Sequence, residues 1–224
     1  MEAYYSELSE DYDVKIRQLV PGYDQMVGCV VDAVGSNGPS AVLDIGMGTG
    51  TLAQRVVETL GRTALTGVET SVDMLAVAEG RLASEPRIRV VRANTLEYEP
   101  KDPFAAIYTN LVLHNIPYVE KSTLLQRIRS WLTPGGLFVW GDLIRHEDKV
   151  TQEKWVRVRI EHARATGCPE GLVERNFLKE GTSDFPLAAS ATIEAGLAAG
   201  FSSVREIWTR DTFSVFALET QIED

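Results

Sequence analysis

The sequence has little sulfur, little histidine and no long apolar run. Its two cysteines, Cys29 and Cys168, stand alone and fit no metal-ligand spacing, so neither a disulfide framework nor a zinc finger is expected. The three histidines, His114, His146 and His162, share no ligand spacing either, and no metal is expected. No apolar stretch approaches the ~20 residues that cross a bilayer. The start, MEAYYSELSED, is acidic and has no apolar stretch, so no secretory leader is expected. A cytoplasmic protein with reduced thiols and no membrane partner is the expectation. Basic excess is also lacking: 22 Lys and Arg oppose 32 Asp and Glu, a net charge of −10. That balance works against nonspecific binding to phosphate backbones, so a nucleic-acid partner is not expected. Residues 145–185 depart from the trend, with eight side chains of each sign. Arg157, Arg159 and Arg164 in this stretch form either a solvated helix face or the lining of an anionic substrate site.

What is present is a regular alternation. The length of 224 residues suits one domain, 1–224. Residues 3–20 read as helical up to Pro21-Gly22, and Val27, Val30, Val31 and Val34 follow helical spacing. Strands are predicted at Ala41–Ile45, Leu65–Glu69, Ile88–Arg92, Phe104–Thr109 and Leu137–Gly141. Between them lie helices carrying Leu52, Val56, Val57 and Leu60, then Met74, Leu75, Ala78 and Leu82 behind an N-capping Ser71. A further helix with Leu124, Leu125, Ile128 and Leu132 is expected to stop at Pro134-Gly135-Gly136. One or two helices fill 145–185, and another holds Ile193 and Leu197. Val204–Thr209 and Thr212–Leu218 are separated only by Arg210-Asp211, which requires an antiparallel hairpin. The expected fold is α/β: a three-layer, doubly wound, Rossmann-like sheet of seven strands, mostly parallel, with a C-terminal antiparallel hairpin. The segments 1–24 and 145–185 fall outside this plan and are expected to cover the active site as a helical cap and a helical insert.

The chemistry concentrates after the first strand, in Asp44-Ile45-Gly46-Met47-Gly48-Thr49-Gly50. Glycines there permit a sharp turn and close approach of a ligand to the backbone, in the crevice beyond the strand ends. Alone, such a turn also suits a dinucleotide. Its G-x-G-x-G spacing, however, is neither the dinucleotide fingerprint nor a P-loop. Glu69 ends the second strand, where a carboxylate can accept hydrogen bonds from two ribose hydroxyls.

With these residues in place, Val42–Gly50 and Gly67–Ser71 resemble the first two signature motifs of class I S-adenosylmethionine-dependent methyltransferases. Asn94-Thr95 resembles the adenine-contacting position, where Asp is commoner than Asn. Asn110-Leu111-Val112-Leu113-His114 resembles the segment beside the methionine moiety, and Leu132–Gly136 the L-x-P-G-G turn. The resemblance covers roughly residues 40–142. It implies methyl transfer to a small-molecule acceptor, with S-adenosylhomocysteine as product. The implied cofactor contacts are Tyr23, Asp44, Gly46, Met47, Gly48, Gly50, Glu69, Thr70, Met74, Asn94, Thr95, Asn110 and Leu111.

A narrower similarity joins Val20-Pro21-Gly22-Tyr23, Asn110 and Arg175 to the carboxy-S-adenosylmethionine synthase family, which supports tRNA wobble-uridine modification. It offers the alternative function. It implies that Tyr23 and Arg175 meet substrate, Arg175 through a carboxylate and in a homodimer from the neighbouring subunit. His114 either acts as general base near the reacting methyl or packs on the cofactor as a strand-end residue. His146 and His162 are read as surface residues, and Trp155 as core.

Overall fold

A computed structural model describes residues 11–179 and 182–222; residues 3–10 of the expected first helix lie outside them. Seven strands form one sheet in the order β3-β2-β1-β4-β5-β7-β6. They are β1 (Ala41–Ile45), β2 (Ala64–Glu69), β3 (Ile88–Arg92), β4 (Phe104–Asn110), β5 (Leu132–Leu143), β6 (Ser203–Arg210) and β7 (Phe213–Glu219). The first five are parallel, with β1 central between β2 and β4. β7 inserts antiparallel between β5 and β6, which is why its sequence, Phe-Ser-Val-Phe-Ala-Leu, is buried on both faces. The chain reverses from β6 into β7 at Asp211, whose φ is +56°. The expected three-layer doubly wound sheet with a terminal hairpin is the one observed.

Period-two alternation splits the core into two layers. Val42, Tyr108, Val139 and Val215 face one cluster, with α2 (Tyr23–Gly35) and α3 (Thr51–Leu60). Leu43, Ile107, Phe138 and Phe216 face the other, with α5 (Tyr118–Trp131) and α8 (Ala189–Ala198). α4 (Val72–Leu82) starts where Ser71 Oγ accepts the Met74 N–H at 3.4 Å, as its sequence required.

One boundary needs correction. The helix expected to run through Leu132 ends at Trp131, and Leu132 opens β5 opposite Phe104. The next pair is Ala106 with Leu137, so Pro134-Gly135-Gly136 forms a bulge inside the strand. Proline has no N–H to donate and Gly135 has φ +70°, so the segment bulges without breaking the ladder.

Outside the sheet, α1 (Tyr12–Leu19) lies against α6 (Lys149–Ala165), and α7 (Glu170–Phe177) follows α6. Gln18 Nε2 donates to the Thr166 carbonyl at 2.9 Å, and a His162 ring nitrogen lies 3.2 Å from the Arg17 carbonyl. The N-terminal helix and the insert are thus joined to each other before either meets the sheet.

Phe216 is fully buried, with its ring centroid 6.2 Å from that of Trp140. Phe216→Ala is expected to lower the unfolding free energy by about 3–5 kcal/mol. Urea denaturation followed by circular dichroism measures this; a loss below about 1 kcal/mol would mean that the β5–β7 layer is not a close-packed core.

Candidate functional site

The carboxyl ends of β1, β2 and β4 open onto a cleft of about 580 Å³, a size suited to a cofactor. Its floor is the glycine turn after β1. Gly46 and Met47 N–H both donate to the Val68 carbonyl, at 2.8 and 3.0 Å. Gly48 N–H donates to Glu69 Oε2 at 2.9 Å. Gly46 has φ +70°, and a Cβ there would stand 2.5 Å from Val112 Cγ2. Gly48 has φ +56°, and a Cβ would meet nothing within 4 Å, since it would project into the open cleft. The first glycine serves packing and the second keeps ligand space clear.

Of the residues expected to touch cofactor, Gly46, Gly48, Glu69, Thr70, Met74, Asn94, Thr95, Asn110 and Leu111 line this cleft. Glu69 Oε1 accepts the N–H groups of Thr70 and Ser71, both at 2.8 Å. With Gly48 on Oε2, three backbone donors hold the carboxylate at the cleft edge. Asn94 Oδ1 accepts the Leu96 N–H at 3.0 Å, which leaves its amide nitrogen as the group to offer a ligand.

Tyr23, Asp44 and Met47 line a smaller recess of about 40 Å³ behind the turn, again with Gly46, Gly48 and Asn110. Met47 tucks its side chain over β2, where only Gly67 leaves room: a Cβ there would stand 2.3 Å from the sulfur. Asp44 is 2% exposed. Burial drives its carboxyl up to about 8, against a hydrogen-bonding influence of Tyr108 and with a further push from the charge of Glu69. Its Oδ2 atom and Asn110 Oδ1 are both buried without a hydrogen bond. Two such acceptors beside one recess are suited to a donor-rich ligand group such as an ammonium. Burial likewise raises the Tyr23 hydroxyl to about 12. Gly50 lines neither space; its left-handed turn abuts Leu82 and Ala78 of α4.

A third cavity, about 60 Å³, lies under α1, α6 and α7 and is lined by His114, Lys15, Arg159, Lys179 and Asp184 among others. His114 sits in a 3₁₀ turn (Leu113–Asn115) after β4, with Nδ1 2.5 Å from Asp142 Oδ1. Asp142 also accepts the His114 N–H and the Trp140 indole N–H at 2.9 Å each, and the Leu143 N–H at 2.8 Å. Burial would raise this carboxyl, but the charge of His114 and hydrogen bonds from His114 and Trp140 outweigh it and hold the group below the ordinary 3.8. A carboxylate can only accept, so in the neutral ring the His114 proton belongs on Nδ1 and Nε2 carries the lone pair, whereas the charge that lowers Asp142 belongs to the doubly protonated ring. Tyr12 lines all three spaces, and Leu111 lines both the cleft and the third cavity.

The insert arginines divide. Arg157 and Arg164 are exposed, the latter paired with Glu170. Arg159 is buried, its guanidinium 4.8 Å from the ring centroids of both Phe177 and Phe213. Arg175 is exposed in the last turn of α7 and lines none of the three spaces.

Sequence reasoning missed Tyr12, Asp142, Lys179 and a latch on the glycine turn. In that latch Asp13 Oδ1 accepts from Thr49 and Thr51 Oγ1, each at 2.9 Å, while Oδ2 pairs with Arg81. Arg81 also donates to the Thr49 carbonyl at 2.7 Å. Burial would raise Asp13, but these donors hold it below its usual range. For Asp142 a signal existed: an acid inside the apolar run Phe138–Ile144 must find buried partners.

Residues 42–136 match the methyltransferase domain family. An uncharacterized methyltransferase of Geobacillus kaustophilus is 27% identical over 88% of this chain and 86% of its own length. A carboxy-S-adenosyl-L-methionine synthase of Campylobacter fetus is 23% identical over 92% and 88% respectively. Among solved structures, the DhpI complex with S-adenosylhomocysteine covers 98% of this chain and 95% of its own, at 17% identity and a TM-score of 0.70. Other matched methyltransferase structures are longer, and this chain spans 54% of one of them. Among the described residues, no group of three His, Cys, Asp or Glu is placed to hold a metal, and no helix is long and apolar enough to cross a membrane.

Asp142→Asn tests the central buried group. In either amide orientation its nitrogen must face a fixed N–H, from Leu143 or from His114 and Trp140. The expected loss is about 2–3 kcal/mol of unfolding free energy. Because the native carboxyl lies below 3.8, its contribution is present above that pH and disappears as pH falls further. Denaturation of both proteins between pH 3 and 7 checks this; parallel curves would remove the carboxylate as the cause.

Proposed function

We propose that the chain is a class I S-adenosylmethionine-dependent methyltransferase that passes the methyl group to a small molecule held beside His114. The observation that carries the acceptor side is the shared wall: Tyr12 and Leu111 border both the cofactor-sized cleft and the cavity that His114 lines. Methyl transfer needs an in-line meeting of two ligands from adjoining spaces, and little covalent help from the protein.

The residues present fit the cofactor. Glu69 would receive the ribose hydroxyls at the acceptor sites its three backbone donors leave over. The Asn94 amide nitrogen suits an adenine ring acceptor better than the exocyclic amine, which explains how Asn can stand where Asp is commoner. Asp44 and Asn110 would take the ammonium of the methionine end. Bound S-adenosylmethionine supplies a methyl group already activated on a sulfonium. On the protein side, His114 would take a proton from the acceptor at Nε2, with Asp142 fixing the ring and balancing the charge gained.

The synthase reading has less support. The similarity is 23–26%, and Arg175, on which that reading turns, stands exposed outside the three spaces. Its exposure leaves room for a role across a homodimer, which the molar mass in solution decides. The two free cysteines support a cytoplasmic setting.

Calorimetry with S-adenosylhomocysteine tests the site. Asp44 titrates near 8 without ligand, and engaging an ammonium favours the carboxylate, so binding expels a proton below that pH. Affinity should therefore rise up to about tenfold per pH unit from 6 to 8 and then level off, and Asp44→Asn should flatten the profile. Glu69→Ala should weaken binding by about 1.5–3 kcal/mol. Unchanged affinity in both variants would remove these residues from the site.

A further inference from the structure

Lys121, near the start of α5, is a charged side chain with only 1% of its surface exposed. An ammonium taken out of water is costly unless its surroundings compensate. Burial lowers it below the usual 10.5, and the charge of Asp142 opposes that fall. Its Nζ donates to the Phe185 carbonyl at 2.7 Å. Phe185 in turn donates its N–H to the His114 carbonyl at 2.5 Å. Thr182, Ser183 and Phe185 all line the cofactor-sized cleft. One side chain of α5 thus pins the end of the insert against the turn that carries His114. A second link is electrostatic. Burial opposes the charge of Asp142, and the Lys121 ammonium is among the influences that outweigh it. Asp142 in turn holds the His114 ring at Nδ1. Lys121 therefore reaches His114 by two routes, the backbone of Phe185 and the charge of Asp142.

Resting on the reading of His114 as the base, we propose that Lys121 is a positioning residue that keeps the His114 ring neutral and in place beside the acceptor cavity. A base needs the Nε2 lone pair. A buried carboxylate alone beside an imidazole favours the doubly protonated ring, which has no lone pair to offer. Lys121 changes that balance. With it, the charges of Asp142 and the ammonium offset each other, and a proton at Nε2 would leave a net positive charge in a buried site. Without it, the same proton would offset Asp142 and be retained. The other charged or titratable groups around His114 come from the helices over the cavity. Tyr12 and Lys15 lie on α1, Arg159 on α6, and Lys179 and Asp184 in the segment after α7. Those cations act in the same sense from the cavity and Asp184 in the opposite one, whereas Lys121 does not line the cavity and acts from α5.

The test is nitrogen NMR of the full chain at neutral pH, free and saturated with S-adenosylhomocysteine. The His114 signals are identified by their loss in His114→Gln. The wild-type ring should carry a proton on Nδ1 and a lone pair on Nε2. Lys121→Met and Lys121→Gln should each raise the ratio of doubly protonated to neutral ring by about tenfold or more, as removal of a nearby buried charge does. Lys121→Arg keeps both charge and donor and should return the ring toward the wild-type signature. If Lys121 only tethers Phe185, the Met and Gln variants lower the melting temperature but leave the ring signals as in wild type, and the proposal is overturned. A wild-type ring that is already doubly protonated overturns it as well. Should Lys121→Met fail to fold, Lys121→Gln, which retains a donor for the Phe185 carbonyl, decides. Failure of the wild type to bind S-adenosylhomocysteine would strike the methyltransferase reading instead, while spectra of the free chain would still decide for or against Lys121.

Discussion

Three consecutive N–H groups, of Gly46, Met47 and Gly48, have to be satisfied by the end of a neighbouring strand, and the architecture of the site follows from that demand. The Val68 carbonyl takes the first two and the Glu69 carboxylate the third. This ties the end of β1 to the end of β2 and forces the turn into left-handed backbone, which only glycine adopts without strain. The same carboxylate borders the cleft, so the group that shapes the turn is also open to the cleft. On the proposed reading, a ribose hydroxyl arriving at Glu69 would share it with Gly48, which would make the turn responsive to occupancy. The Asp13 latch adds a second constraint by holding Thr49 and Thr51 from the N-terminal helix. The N-terminal helix is therefore bonded directly to the turn.

Electrostatics divides the site in two. The cleft and its recess carry Asp44, Glu69 and Glu120, and the adjoining cavity carries the cations. An overall charge of −10 says nothing of this division, because the insert that supplies Arg159 and Lys179 is itself balanced in sign. Burial opposes charge on both sides of this division. Asp44 is pushed toward its neutral form and Lys179 toward its own, each chiefly by loss of water.

The sheet was legible because its strands are short apolar runs ended by glycines or by acids, and each helix shows one apolar face. All five parallel strands and the hairpin fall where periodicity puts them, within a few residues. Leu132 was misplaced because its apolar spacing continues that of Leu124, Leu125 and Ile128; its pairing with Phe104, 28 positions earlier in the chain, is what makes it a strand residue. The glycine turn and Glu69 could be read because their chemistry is local. The latch could not, since Asp13 meets partners 36 and 68 positions away. The insert arginines show the same limit. Sequence offers three on one helix, and packing against Phe177 and Phe213 is what turns Arg159 alone inward.

Leu111 shows how the two halves of the site are held in register. Its φ of +60° is a conformation that a branched side chain adopts at a cost of about 1–3 kcal/mol. The surrounding structure enforces it: the Leu111 N–H donates to the Gly141 carbonyl at 2.9 Å, and Gly141 has no Cβ because Asn110 Oδ1 would lie 2.5 Å from one. The kink at the end of β4 leaves Asn110 bordering the recess and cleft while Leu111 forms the partition to the basic cavity. A regular strand end would point successive side chains to opposite faces and could not line two adjoining spaces in this way. His114 comes three residues later, where its own N–H and ring both reach Asp142 of β5. The strain at Leu111 thus sets the spacing between the cleft and the His114 side of the neighbouring cavity, and the β4–β5 pairing beside it is what holds that spacing.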